Sequence, residues 1–192
     1  MAQWKPIIGL SFDAEGFDTY CKSLTWSNWR PSFVAIHNTA IPNLAGRPNG
    51  FTKQHIRNLE GYYQGLGWKA GPHLFIDDKQ IWVFTPLTTT GRHSPSWNNI
   101  ALGFEMLGDY ASDKFASGRG LAVRKNAVAA TATICRRLGL DPQGIRLHKE
   151  DPATDHDCPG KNVKKKEFIA DVAARMTAHA PADHVPGMGH GE

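Results

Sequence analysis

No long hydrophobic run occurs in this sequence. Its longest uninterrupted apolar stretches, at 33–36, 81–84 and 127–130, have four residues each, whereas a membrane-spanning helix needs about 20. A secretory leader is not expected either, because Asp13 and Glu15 fall where its apolar region would lie. We therefore expect a protein that has no integral membrane segment and no signal peptide and is made in the cytoplasm.

Cysteine is scarce, and neither sign of charge dominates. The three cysteines, Cys21, Cys135 and Cys158, lie far apart, and their odd number does not indicate a disulfide framework. The 22 Lys and Arg exceed the 18 Asp and Glu by only 4, which is ordinary for a globular domain. The basic cluster at 161–166 could attract an anionic polymer, but a solvated helix end is the simpler interpretation, and we expect no nucleic-acid partner.

Hydrophobic patterning predicts both strands and helices, and the length of 192 residues predicts one domain with short extensions. Short apolar runs predict strands at 33–37, 73–77, 80–84, 100–107 and 145–148. Two of them, 73–77 and 80–84, are close enough to form a hairpin. Caps, glycine stops and apolar stripes predict helices at about 53–65, 123–138 and 164–176.

The strand at 100–107 has two faces of different character. Alternation puts its four large apolar residues on one face and three other residues on the opposite face: Ala101, Gly103 and Glu105. A carboxylate beside two very small residues would leave room for a ligand. An exposed strand glutamate is the alternative interpretation.

Three side chains offer metal-binding or nucleophilic chemistry. His37 and His148 each end a predicted strand, and Cys158 follows ten residues after His148. Two imidazoles and a thiolate are a ligand set of catalytic zinc that leaves the fourth position open. The residues alone leave two other interpretations open: partly buried histidines beside a loop thiol, or Cys158 as a nucleophile with His148 or His156 as its base.

Five segments carry a family resemblance. In order they are FVAIHNTA, GPHLFID, GRHS, ALGFEMLGDY and HKEDPATDHDCPG. Together they resemble the zinc N-acetylmuramoyl-L-alanine amidases of bacteriophage lysozymes, cytosolic muropeptide-recycling enzymes and peptidoglycan recognition proteins. The resemblance covers about residues 33–168. It implies a single α/β domain with a mixed central β-sheet flanked by helices, and zinc in a surface groove.

The resemblance also implies roles for particular residues. The zinc ligands would be His37, His148 and Cys158, and Glu105 would be the general base. His156 stands where many relatives have a lysine that stabilises the tetrahedral intermediate; an imidazolium could donate the same hydrogen bond, although His156 could instead be a ligand.

The resemblance also indicates candidate groove residues and one position at which this sequence differs from the family pattern. Pro72 stands where the phage-lysozyme branch has a catalytic tyrosine, which favours a mechanism based on Glu105. Four residues are candidates for substrate binding: His73, His93, Trp97 and Asn98. For His73, a strand histidine satisfied by a neighbour is an equal alternative.

The resemblance completes the expected organisation and function. Residues 1–30 would be an N-terminal extension packing on the domain, 31–178 the amidase catalytic domain, and 179–192 a disordered tail. The expected activity is hydrolysis of the amide between N-acetylmuramic acid and L-alanine by a monomeric endolysin that acts on the cell wall after release. Its partner would be peptidoglycan or muropeptides. A cytosolic recycling amidase and a non-catalytic recognition module are the alternatives.

Overall fold

The structure, a computed structural model, describes residues 3–178. In this part of the chain one mixed sheet is built from six strands: β1 (Leu10–Phe12), β2 (Phe33–Asn38), β3 (Leu74–Ile76), β4 (Ile81–Val83), β5 (Ala101–Met106) and β6 (Arg146–Leu147). The four α-helices are α1 (Ala14–Lys22), α2 (Lys53–Gly65), α3 (Gly118–Leu138) and α4 (Lys165–Ala178). The predicted α/β fold, a mixed central sheet flanked by helices, is confirmed.

The sheet has a parallel centre and an antiparallel edge. The strand order is β1-β4-β3-β5-β2-β6. β5 pairs in parallel with β2 and β3, and β6 extends the parallel part, whereas β4 runs antiparallel to β3 and β1. The central strands are buried on both faces, which explains why their sequences are short, nearly continuous apolar runs. The predicted hairpin is confirmed, with Ile76 opposite Ile81 across its turn.

Local signals set the ends of two helices. The Thr52 side chain accepts a hydrogen bond from the backbone N–H of His55 (3.2 Å) and caps α2. Gly139, with φ of +67°, ends α3 in the left-handed conformation that glycine adopts without strain. α3 begins five residues before the predicted start, and its middle turns are buried on all sides rather than along one stripe. Small residues such as Ala129 and Ala132 permit this, because α1, α4 and the sheet all pack against α3.

The sequence preceding residue 31 supplies one strand and one helix. β1 pairs with β4 at the sheet edge, and Asp13 caps α1 by accepting from the Gly16 N–H (2.7 Å). α1 buries Phe17 and Cys21 and packs on α3. Ion pairs from Asp18 to two arginines near the end of α3 reinforce this contact. Residues 10–22 therefore belong to the same sheet and core as the rest of the domain.

Two expectations concern features outside this core. The predicted tail at 179–192 lies outside the described residues. Within residues 3–178, no helix is long and apolar enough to cross a membrane.

Candidate metal centre and groove

Parallel pairing of β2 and β5 brings the first two candidate residues together. His37 and Glu105 are register partners near the C-terminal ends of their strands. His37 is 1% exposed, and its Nδ1 lies 3.8 Å from Oε1 of Glu105. Because both groups project from central strands, their relative position is fixed by the sheet.

The other two candidate ligands come from the chain after β6. His148 begins a short 3-10 turn directly after the strand, and its ring lies 4.3 Å from that of His37 between centroids. The loop then returns, and the backbone N–H of Lys149 donates to the carbonyl oxygen of Cys158 (2.8 Å). The backbone N–H of Asn38 donates to Sγ of Cys158 (3.3 Å). These contacts bring the thiol to the end of β2.

The donor atoms of His37, His148 and Cys158 fit a metal ion. All three lie within 4.8 Å of one another, and zinc bonds of about 2.0–2.3 Å require separations of roughly 3.3–3.8 Å, so small inward shifts would complete the set. Nε2 of His148 is buried and has no hydrogen-bond partner. Burial lowers the pKa of both histidines, so they are held as the neutral imidazoles that bind metals.

Glu105 lies at the junction between this cluster and a cavity. Its side chain is 14% exposed, and burial raises its pKa to about 8. The cavity, of about 420 Å³, is otherwise mostly apolar and aromatic; its lining includes Ile41, Tyr62, Tyr63, Trp68 and Phe75. A second cavity, of about 520 Å³ and more polar, is lined in part by His148. Trp68 lines both cavities, which we therefore describe as two arms of one groove with different chemistry.

The space expected beside Gly103 is not open to a ligand. The ring of His93 fills it, and a Cβ on Gly103 would lie 2.2 Å from Cγ of His93. His93 is 7% exposed, with Nδ1 3.1 Å from Nε2 of His37 and Nε2 3.1 Å from the carbonyl oxygen of Ala101. His93 thus borders the polar cavity but directs both ring nitrogens into the protein.

His73 and Trp97 lie inside the domain. His73 is fully buried; its Nδ1 accepts from the Gly103 N–H (3.0 Å), and its Nε2 lies 3.0 Å from the Thr89 carbonyl oxygen. Trp97 is 9% exposed and packs edge-on against Phe33. Neither lines the cavities described above. Both nitrogens of His73 are therefore bonded inside the domain, which is the arrangement of a strand histidine satisfied by its neighbours, and Trp97 lies beneath the groove surface; substrate binding by either residue stays a prediction.

Asn98 and His156 do reach the groove. Asn98 lines the polar cavity while its Oδ1 accepts from the backbone N–H groups of His93 (2.7 Å) and Ser94 (2.9 Å). His156 is exposed at the rim, stacked on the His148 ring at 5.8 Å between centroids. Among the described residues, it is not part of the three-atom cluster.

The family is decided by comparison with known proteins. A family model described as N-acetylmuramoyl-L-alanine amidase matches residues 27–161. The chain belongs to this family. Peptidoglycan-recognition protein SC2 of Drosophila simulans is 23% identical over 135 residues, which are 69% of this chain and 70% of the relative.

Several solved structures share the fold. The N-acetylmuramoyl-L-alanine amidase LysC from Clostridium intestinale superposes with a TM-score of 0.61 at 20% identity, covering 79% of this chain and 94% of that one. Drosophila PGRP-LB superposes with a TM-score of 0.56 at 18% identity, covering 87% and 91%. The amidase-family fold thus extends beyond the segment that the family model matches.

Three further residues of this amidase-family chain were not singled out from the sequence. Tyr63 brings a phenol from α2 to the cavity that Glu105 lines, although Pro72 removes the expected tyrosine. Arg92 places its guanidinium carbon 4.6 Å from the ring centroid of Trp68, beside the polar cavity. Asp151, 1% exposed, binds the loop that carries Ser94. The GRHS segment contained Arg92 and the HKEDPATDHDCPG segment contained Asp151, but no local signal marks Tyr63.

Proposed function

We propose that this protein is a zinc-dependent N-acetylmuramoyl-L-alanine amidase that hydrolyses the amide between N-acetylmuramic acid and L-alanine in peptidoglycan. The observation that carries the proposal is the convergence of three donor atoms within 4.8 Å, one residue of which has a buried nitrogen without a partner. Leaving such a nitrogen buried and unpaired costs roughly 1–3 kcal/mol, which a bound metal would offset.

The proposed cofactor is Zn²⁺, held by His37, His148 and Cys158. When bound there, zinc supplies Lewis-acid polarisation of the substrate's amide carbonyl. A free Cys158 nucleophile is disfavoured, because its Sγ converges with nitrogens of two histidines within 4.8 Å and burial raises the pKa of a thiol that a bound cation would deprotonate. The thiol is therefore assigned to metal binding.

Glu105 is the proposed general base. It faces the cavity from a central strand, and in its ionised form, which a cation at the neighbouring ligand set would favour, its carboxylate can take a proton from the attacking water and pass it to the leaving amine. His156, exposed at the rim beside His148, is the proposed donor to the developing oxyanion. Glu105 lines the apolar cavity and His156 lines the polar one.

The two arms suit a substrate with unlike halves. The apolar and aromatic cavity offers ring faces such as Tyr62 and Trp68 to a sugar or acyl group. The polar cavity offers Arg92 and Asn98 to a peptide with carboxylates. A muropeptide partner is further supported by PGRP-LB, a fold neighbour solved in complex with tracheal cytotoxin.

We assign the enzyme to cell lysis, as a monomeric endolysin that acts on the cell wall after release. The cysteine ligand and the modest positive charge support this role, and the fold neighbours include an amidase described as an endolysin from Clostridium intestinale. A cytosolic recycling amidase would use the same centre on small muropeptides. The likeness to peptidoglycan-recognition protein SC2 favours a recognition module. Such a module would need neither the three metal donors nor Glu105, so their presence together favours the enzyme.

The proposal is tested by digesting purified peptidoglycan with zinc-loaded and chelator-treated protein, followed by mass spectrometry of the released fragments. Free stem peptides beginning with L-alanine should appear only with zinc. Cys158→Ala should abolish release, and Cys135→Ala, which removes a buried thiol from α3, should not. Tight binding without cleavage would indicate a recognition module, and cleavage that survives chelation would refute zinc dependence. Activity on small muropeptides but not on the polymer would indicate recycling.

A further inference from the structure

His93 connects the proposed ligand His37 to the main chain of β5. Its Nδ1 lies 3.1 Å from Nε2 of His37, and its Nε2 lies 3.1 Å from the carbonyl oxygen of Ala101. Both rings are almost fully buried, at 1% and 7% exposure. The two imidazoles therefore form a chain of two hydrogen bonds that ends on a fixed backbone group.

The chemistry of that backbone group sets the direction of both hydrogen bonds. A carbonyl oxygen only accepts, so Nε2 of His93 must carry the proton. In a neutral imidazole the other nitrogen is then an acceptor, which leaves Nε2 of His37 as the donor. Nδ1 of His37 is consequently unprotonated, and it lies on the side of Glu105, 3.8 Å from that carboxylate.

The surrounding residues hold His93 in this place. Asn98 accepts from its backbone N–H (2.7 Å), and the missing side chain of Gly103 makes room for its ring. An alanine at 103 would place a Cβ 2.2 Å from Cγ of His93, so the ring would have to move. The glycine in β5 is therefore explained by the imidazole behind it.

We propose that His93 is a positioning residue: it fixes His37 as the tautomer whose Nδ1 is free to bind the metal. The inference rests on the proposed zinc site and adds to it a partner outside the ligand set. Partners of this kind orient a metal-binding imidazole, and their loss typically weakens metal affinity 10–100-fold.

Zinc affinity, measured by competition with a chromophoric chelator, tests the role of the acceptor. His93→Leu removes the acceptor, and zinc binding should weaken roughly 10–100-fold. His93→Asn keeps an acceptor oxygen close to the Nδ1 position and should stay within a few-fold of wild type. Gly103→Ala should weaken binding by displacing the ring, whereas Gly61→Ala, a control at a position with open space, should not. Wild-type affinity in His93→Leu, or an equal loss in His93→Asn, would overturn the proposal.

The tautomer itself can be read in the wild-type protein without any substitution. Long-range ¹⁵N–¹H NMR correlations in the metal-free protein should show His37 protonated at Nε2 and unprotonated at Nδ1. The opposite tautomer would overturn the proposal even if a variant failed to fold. If wild-type protein bound no zinc, the proposed function would fail, while the NMR result would still decide the tautomer.

Discussion

Asp151 ties together the two loops that surround the proposed metal centre, and its removal should destabilise the protein strongly. It lies between His148 and Cys158 and is 1% exposed. Its Oδ2 accepts from the hydroxyl of Ser94 and from the backbone N–H of Ser96 (3.1 Å), and its Oδ1 accepts from the N–H of Ala153 (2.9 Å). The carboxylate thus holds the 94–98 segment against the ligand loop.

Two estimates bracket the magnitude. Hydrogen bonds to a charged group contribute about 1.5–3 kcal/mol each, so losing the two bonds to Ser94 and Ser96 in Asp151→Ala should cost roughly 3–6 kcal/mol. Independently, burial raises the pKa of Asp151, but hydrogen bonds from Ser94 and Ser96 outweigh it and lower the pKa from 3.8 to about 2. That difference corresponds to roughly 2 kcal/mol of charge-dependent stability.

The sign of the pH dependence follows from the lowered pKa. The ionised carboxylate stabilises the fold fully above about pH 4, and this contribution is lost as the pH falls toward 2. Urea denaturation of metal-free protein at pH 7, 4 and 3 measures it. Asp155→Ala, which removes an exposed carboxylate from the same loop, should change stability by less than about 0.5 kcal/mol. The reasoning would be refuted if Asp151→Ala lowered the free energy of unfolding by less than about 1 kcal/mol at pH 7. It would also be refuted if the difference in this free energy between variant and wild type did not shrink at pH 3.

The remaining predictions concern the chemistry of the centre. Glu105→Gln should retain zinc but hydrolyse peptidoglycan about 10²–10⁴-fold more slowly, and a wild-type rate would reduce Glu105 to a structural role. His156→Lys should keep activity and extend it to higher pH, because an ammonium stays charged where an imidazole is neutral; loss of zinc would instead make His156 a ligand. Burial raises the pKa of all three thiols, so access decides which one reacts. Cys21 and Cys135 are buried and Cys158 is half-buried, so a thiol reagent should label only Cys158 in chelator-treated protein and nothing in zinc-loaded protein, as counted by mass spectrometry.

Strong local signals made the centre of the fold predictable. The apolar runs of β2 and β5, the Thr52 cap of α2 and the Gly139 stop of α3 are each encoded within a few residues. β1 and α1 were both missed: α1 is short, although Asp13 caps it locally, and the pairing of β1 is not local. β1 is three residues long and pairs with Val83, more than seventy residues away from Leu10. A strand this short has no periodic pattern to detect.

The side chains of the candidate site were also only partly predictable from the sequence. His37, His148 and Cys158 were expected to meet, and their donor atoms do converge. Gly103 shows where such reasoning fails: a glycine in a strand makes room, but the pattern does not say for what. Here the room holds the ring of His93, which approaches from a loop ten residues earlier in the chain. Whether a strand glycine faces a ligand or a neighbouring side chain is decided by tertiary packing.

One proposed zinc ligand is held by the sheet and the other two by loop contacts, and the effect of this difference on zinc binding can be measured. The sheet fixes His37, whereas His148 and Cys158 flank the loop that Asp151 holds. Zinc stabilises the folded state by RT ln(1 + [Zn]/Kd), so equal affinities would give equal stabilisation of wild type and Asp151→Ala. We expect zinc to stabilise Asp151→Ala less than wild type, because zinc binding must also reorder the loop in the variant. A tenfold weaker zinc affinity would reduce the stabilisation by about 1.4 kcal/mol. Urea denaturation at a fixed free zinc concentration measures this difference, and equal stabilisation would mean that the loop is held in place without Asp151.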